Sequence, residues 1–390
     1  MNNFLKSFDE SKVKYFTPVI SVFLGLLVGL IILYASGYNG FEAYQELFKG
    51  SFGNLRRFGN TLSYMTPLIF TGLSVAFAFK TGLFNIGASG QFYFGGFVAV
   101  LLGATLDLPF GIHHIVVMLG GMIGGAFWGF IPGFLKAKFN IHEVVTSIML
   151  NYTSIWVIQY FAKTLMPGKY ETESLTIMET ASYKSDFFYN LTGGSNLNLT
   201  FFIGIITIIL IFILIEKTTF GFELKAVGFN KDAAKYSGMK VNRNIIVSMA
   251  IAGALAGLGG ALYYTGYRSN INYGVLPSFG FDGIAVSLLA LNSSIGVMFS
   301  SFLFGVLRGG GEFMVASIGI PKEIVDTVIA VIIYISAISL PIELFLINII
   351  RGKKNKNTNS DKLDTINDKE NINNIVNNNA VDNEMNKEEE

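Results

Sequence analysis

Apolar residues run through this chain in blocks of about 20, separated by short polar segments, from Phe16 to about Ile350. A helix of about 20 apolar residues covers the roughly 30 Å hydrocarbon core of a bilayer. The blocks 16–36, 61–79, 88–105, 112–135, 144–162, 200–215, 245–266, 279–291, 295–311 and 322–340 are read as spans, with 342–350 an apolar continuation at the inner surface. The expected fold is all-α: a polytopic membrane helix bundle of about ten transmembrane spans with broken or re-entrant segments. Residues 279–291 are short for a crossing and run into Asn292-Ser293-Ser294, so a half-helix that enters and turns back stands beside a full span. Between Gly40 and Asn60, Phe41, Tyr44, Leu47, Phe48 and Leu55 interleave with Glu42, Gln45, Glu46, Lys49 and Arg56, the pattern of an amphipathic helix on the outer face.

The polar segments set the orientation. With the N-terminus inside and ten crossings, sixteen Lys and Arg fall on the inner side and nine on the outer, which places both termini in the cytoplasm. Residues 1–15 are then a cytoplasmic N-terminus, 16–350 the transmembrane domain, 163–199 an extracellular loop and 217–243 a cytoplasmic loop. The first apolar run is long and no A-x-A site follows it, which favours an uncleaved span over a signal peptide. From Arg351 the chain is rich in Asn, Lys, Asp and Glu and nearly free of aromatics, so 351–390 is expected to be a disordered cytoplasmic tail. Its Arg351, Lys353, Lys354 and Lys356 suit anionic lipid headgroups, as an anchor ahead of any regulatory role.

Composition sharpens the membrane reading and removes several chemistries. Charged residues make up 14% of the chain, against about 25% in soluble domains. The tail holds 7 of the 28 Lys and Arg and 9 of the 27 Asp and Glu, so the first 350 residues are poorer still in charge. Forty-three Gly permit close helix packing, and the absence of Cys excludes disulfides and thiolate metal sites. A formal net charge of +1 offers no basic field, so no nucleic-acid partner is expected. No catalytic set assembles in the sequence. His142-Glu143 lacks the second His of a zinc helix because Thr146 stands there, and His113-His114 lie at an outer surface, so no metal site is expected. Neither Gly168-Lys169 nor Gly352-Lys353 has the context of a phosphate-binding loop. The Asn-x-Thr sequons at Asn190 and Asn198 are those an Asn-rich chain contains by chance.

Two glycine patterns and two interruptions remain. Gly121, Gly125, Gly129 and Gly133 recur every four residues, and Gly253, Gly257 and Ala261 repeat the spacing, so each helix presents a smooth stripe for a close neighbour or, on a second reading, a moving interface. Lys80 to Gln91 places three Gly beside Asn85, Ser89 and Gln91 and makes a poor continuous helix between apolar blocks. Irregular backbone at that depth must be buried in protein or line a wet cavity. A second break falls at Ser278 to Gly283, where Asp282 is nearly the only acid in a long apolar stretch, as a helix N-cap, a pathway residue, or both. Paired breaks in the two halves of a chain point to a transport pathway. Residues 217–243 carry +4, and Lys231 to Tyr236 should form a short surface helix ended by Gly238 as its C′ residue.

The segments GLFNIGASGQ (82–91), HEVVTSIMLNY (142–152), LKAVGFNKDAAKYSGMKVNR (224–243) with AGALAGLGGALY (252–263), and FGFDGIAVSLLA (279–290) together resemble permease subunits of bacterial ABC importers. The nucleoside and simple-sugar branch, similar to the branched-chain amino acid and ribose permeases, resembles it most, over roughly 16–345. The resemblance implies a bacterial cell-membrane importer with two cytoplasmic ATP-binding subunits, a second permease that is usually a paralogue, and an extracellular substrate-binding lipoprotein. It implies no enzymatic activity and no cofactor in this chain, ATP and magnesium belonging to the ATPase partners. It places Lys225, Ala226, Gly228, Asn230, Asp232, Ala233, Ala234 and Gly238 in the segment that contacts the ATPase, and it departs at Ser89, where family members often carry Glu. The function read is ATP-driven import of a nucleoside or simple sugar by alternating access, along a path near Asn85, Ser89, Gln91, Asn151 and Asp282. An ion-coupled secondary transporter of a small polar solute is the alternative; it would normally carry more membrane-embedded acids and bases than this chain does.

Overall fold

A computed structural model describes residues 10–338, 341–344 and 347–348. The chain divides into a unit of Val22–Ala337 and a second unit of Met1–Ser21 with Ile338–Glu390. The expected tail 351–390, its basic anchor and most of 342–350 lie outside the described residues.

The larger unit is helical, with only two isolated antiparallel bridges among the described residues, Pro167 with Ser174 and Glu173 with Asn272. Its helices are α1 Glu10–Ala35, which begins in the other unit, α2 Gly40–Phe52, α3 Leu55–Lys80, α4 Ala88–Thr105, α5 Ile112–Phe139, α6 Glu143–Leu165, α7 Asp186–Leu191, α8 Leu199–Lys217, α9 Thr219–Phe229, α10 Lys231–Tyr236, α11 Val241–Tyr263, α12 Phe279–Leu289, α13 Ser294–Ile318 and α14 Lys322–Ala337. A π-helical turn, Tyr264–Arg268, follows α11. Among the described residues, seven helices are long and apolar enough to cross a membrane, within α1, α3, α4, α5, α8, α11 with its π-turn, and α13. Of the other three expected spans, α6 is diluted by Asn151, Gln159 and Lys163, α14 has 16 residues, and α12 has only 11. At about 1.5 Å per residue α12 covers roughly half the bilayer core, as a half-helix does.

Burial separates core from rim. The spans of α3 and α11 are 83% and 72% buried, those of α5 and α8 only 39% and 33%. Ile123, Phe127, Trp156, Ile209 and Leu210 on α5, α6 and α8 are exposed, and such an apolar rim is stable in lipid rather than water. The protein is therefore a multi-pass membrane protein.

The glycine stripes account for the tight centre. A Cβ at Gly125 would sit 2.6 Å from the Gly257 Cα, and one at Gly129 would sit 2.5 Å from the Met249 carbonyl oxygen and 2.9 Å from the Gly253 Cα. A Cβ at Gly133 would meet Met249 Cβ at 2.8 Å, and Gly121 abuts Ala261. The two stripes on α5 and α11 therefore face each other, and α4 joins them through Gly95, whose Cβ would lie 2.7 Å from the Gly121 and Gly257 carbonyl oxygens.

Three local findings differ from the sequence reading. The third helix begins at Leu55 rather than near 61, because Asn54 caps it by accepting from the Arg57 amide (2.8 Å) and carries it through the polar start. The surface helix α2 buries Gly40, Ala43, Leu47, Gly50 and Ser51 and leaves Phe41 and Phe48 exposed, so its protein-facing side is the small one. Asp282 does not cap α12: the helix starts at Phe279 behind Ser278, and the carboxylate instead meets Arg308.

Candidate functional site

The first break, residues 81–87, lies between α3 and α4. Gly82 is left-handed (φ +70°), a conformation open to glycine at little cost. Past the turn, Asn85 and Gln91 are buried and exchange hydrogen bonds: Asn85 Nδ2 donates to Gln91 Oε1 (2.8 Å), and Gln91 Nε2 to Asn85 Oδ1 (3.0 Å). Asn85 Nδ2 also donates to Ser74 Oγ on α3 (3.1 Å). The next helix, α4, has Gly87 at its N-cap, which offers no side chain to cap it. Asn151 on α6 supplies the cap from outside: its Oδ1 accepts from the Gly90 amide (2.8 Å), and its Nδ2 donates to the Ile86 carbonyl (3.0 Å). Three of the expected pathway residues thus brace the break in this structure, Asn85 and Gln91 by bonding each other and Asn151 by bonding the backbone.

Ser89 joins the two breaks. The Ser89 side chain is fully buried, and its Oγ has no hydrogen-bond partner. It abuts Gly280 on α12, where an added Cβ would overlap the Ser89 backbone. Two residues on, Asp282 Oδ2 pairs with Arg308 of α13 (3.0 Å), and Arg308 reaches Asp326 of α14 at 3.8 Å. Arg308, absent from the sequence-derived set, neutralises the acid that the sequence left alone at depth. The half-helix then ends at Leu291 and Asn292, both left-handed (φ +52° and +55°), a strained reversal for a leucine that the Ser287–Asn292 side-chain bond (2.8 Å) holds.

The segment expected to contact the ATPase lies against the first break. Gly228 on α9 touches the Lys80–Gly82 turn so closely that a Cβ there would lie 3.0 Å from Gly82 N and closer to the Lys80 carbonyl oxygen. Lys225 pairs with Glu216 (2.8 Å) at the surface, and Ala226 is half-buried. Asn230 caps α10 by accepting from the amides of Asp232 and Ala233, both at 3.0 Å. The helix ends in a Schellman arrangement: Met239 N donates to Ala234 O (3.1 Å), Gly238 N to Lys235 O (3.0 Å), and Gly238 is left-handed (φ +82°). Ala234 is buried beside Val227, Ile245 and Met249, which fixes α10 to the bundle. Phe222, Phe229 and Tyr236 remain exposed, the last two at 94% each, a cost to solubility that a protein partner would remove. The exposure of these rings could not be read from their spacing.

His142 and Glu143 have local roles. His142 Nδ1 accepts from the Val144 amide, and Glu143 lies 2.9 Å from Lys136. Burial opposes charge on Glu143, but the Lys136 ammonium and its own backbone amide hold its carboxyl below the ordinary carboxylate value.

Comparison with known proteins places this arrangement in a family. The family model described as branched-chain amino acid transport system, permease component, matches residues 57–337. The guanosine ABC transporter permease protein NupP of Bacillus subtilis is 40% identical over 340 residues, covering 87% of this chain and 96% of that protein. The nucleoside ABC transporter permease protein NupB of Lactococcus lactis is 42% identical over 340 residues, covering 85% and 93%. The nucleoside ABC transporter permease protein NupC of the same organism is 28% identical over 263 residues, covering 63% and 79%. No solved structure matches. The chain belongs to the family of branched-chain amino acid transport system permease components.

Proposed function

We propose that this chain is the permease subunit of a binding-protein-dependent ABC importer that carries nucleosides across a bacterial cell membrane. The observation that carries this reading is its 40% and 42% identity, over nearly the whole length of both relatives, to permeases named for guanosine and nucleoside transport. The partners are cytoplasmic ATP-binding subunits, which hold ATP and magnesium, an extracellular substrate-binding lipoprotein, a second permease and membrane lipid. The second permease is a paralogue, a reading supported by NupB and NupC of one organism both resembling this chain. Both termini face the cytoplasm, which puts α9 and α10 on the ATPase side.

In the proposed cycle, ATP-driven closure of the partners moves α9 and α10, which seat on them through Phe222, Phe229 and Tyr236. Gly228 transmits that movement to the Lys80–Gly82 turn. The turn leads into the segment braced by Asn85, Gln91 and Asn151, and from there to the Ser89–Gly280 contact between α4 and α12. Opening that contact admits substrate, and the braced amides then line its path beside Asp282. Competition of unlabelled guanosine, adenosine, uridine and ribose against labelled guanosine uptake by the assembled importer tests the substrate class. Nucleosides that compete while ribose does not support it, and competition by ribose alone overturns it.

A further inference from the structure

An aromatic and charged patch gathers beside the Ser89–Gly280 contact. Tyr263, the last residue of α11, and Phe279, the first of α12, hold their rings 4.9 Å apart at 63°, and both are partly exposed. The π-turn that follows Tyr263 brings Arg268 back, so that its Nε donates to the Tyr263 hydroxyl (3.1 Å). Single π-turns inside helices cluster at functional sites. Tyr64 of α3 is bonded to Glu312 of α13. Phe279 and Asp282 are three residues apart on α12, hence on one helical face with Cβ atoms about 5–6 Å apart. Asp282 Oδ2 meets Arg308 and Ser278, while its Oδ1 has no hydrogen-bond partner among the described residues. Aromatic faces with an open carboxylate oxygen and flanking cations are poor company for lipid. They match a molecule with a flat heteroaromatic ring and vicinal hydroxyls.

We propose that Tyr263, Phe279 and Asp282 form a nucleoside station on the translocation path, the base stacking on the two rings and a ribose hydroxyl donating to Asp282 Oδ1. Arg308 is a positioning residue that fixes the carboxylate through Oδ2. The station rests on the nucleoside reading above and adds to it a place where the permease itself senses substrate.

The test uses the complete importer in proteoliposomes loaded with ATP, with uptake of adenosine and of its 2′,3′-dideoxy analogue measured beside binding-protein-stimulated ATP hydrolysis. Tyr263→Leu and Phe279→Leu each lower adenosine uptake about 10-fold, the size of one lost base–aromatic stack, while Tyr263→Phe and Phe279→Tyr, which keep a ring, lose clearly less than the leucine variants. Asp282→Asn narrows the preference for adenosine over the dideoxy analogue. Because the chain has no cysteine, Phe279→Cys gives a second readout independent of uptake: saturating adenosine slows modification of the introduced thiol by a membrane-impermeant reagent. Leucine variants that transport like wild type, ring-keeping variants that fail as badly as the leucine ones, or thiol modification of the Phe279→Cys variant that is indifferent to adenosine overturn the station. A wild-type importer that takes up no nucleoside overturns the functional reading itself, which separates the two failures.

Discussion

Replacing Gly228 by Ala tests whether the α9 contact with the Lys80–Gly82 turn carries force. The new Cβ would lie 3.0 Å from Gly82 N and from the Lys80 carbonyl carbon, with the Lys80 oxygen nearer still, whereas ordinary contact begins at 3.4 Å. All three are backbone atoms, so no rotamer change relieves the overlap, and α9 must withdraw from the turn. Overpacking of this kind costs about 1–3 kcal/mol. The better helix propensity of Ala returns up to about 1 kcal/mol. From the middle of the overpacking range, about 2 kcal/mol, a net penalty of about 1–2 kcal/mol remains on the engaged arrangement, a roughly 5–30-fold loss of its population. The assay is nucleoside uptake and ATP hydrolysis by the reconstituted importer, with Gly204→Ala as control. At Gly204 the nearest atom to the added Cβ is the Ile69 Cδ1 methyl at 3.3 Å, the movable end of a flexible side chain. The expected result is uptake reduced about 5–30-fold for Gly228→Ala, an assembled complex that still hydrolyses ATP, and near-normal uptake for Gly204→Ala. Wild-type uptake by Gly228→Ala, or equal loss in both variants, would refute transmission through this contact.

Three further outcomes follow from the geometry. Gln91→Leu leaves the Asn85 amide with Ser74 alone and should cost about 1–3 kcal/mol in thermal unfolding of the detergent-solubilised protein; adding Asn85→Leu should cost less than the two single changes summed, because they share one pair. Glu143 titrates in the folded protein below its ordinary value of 4.5, so its pair with Lys136 stabilises above about pH 4.5 and fades as pH falls through the folded-state value. Unfolding midpoints measured across pH should therefore show wild type ahead of Glu143→Gln near neutrality and the gap closing in acid; a constant gap would contradict the assignment. Phe229→Ala with Tyr236→Ala, both on exposed positions, should leave the permease monodisperse yet reduce co-purifying ATPase subunit by about tenfold or more.

Features set by local sequence were legible before any coordinates. The apolar blocks became helices because span length is a property of consecutive residues, and the Lys231–Tyr236 helix with Gly238 behind it follows from cap chemistry within a few residues. The short apolar run of α12 and the Asn-Ser-Ser beyond it left a half-helix and a full span both open, and the helix has 11 residues. Pairings between distant segments were hidden. Nothing in 82–91 announces that its helix cap is Asn151, 61 residues beyond Gly90, and nothing in 279–283 announces Arg308. The N-cap reading of Asp282, one of two the sequence left open, failed because the helix already starts at Phe279; Asp282 then lies inside its first turn, and its carboxylate meets Arg308. The glycine stripes were visible as smooth surfaces, but only the fold showed that each is the other's partner.

The most direct test of the account is energy coupling. Proteoliposomes containing this chain, its second permease, the ATP-binding subunits and the loaded binding protein should accumulate labelled guanosine only when ATP is hydrolysed, with no response to collapse of proton or sodium gradients. Uptake that proceeds without ATP and disappears when an ion gradient is collapsed would contradict the importer, and would make the Asp282–Arg308 pair the place to look for a coupling ion.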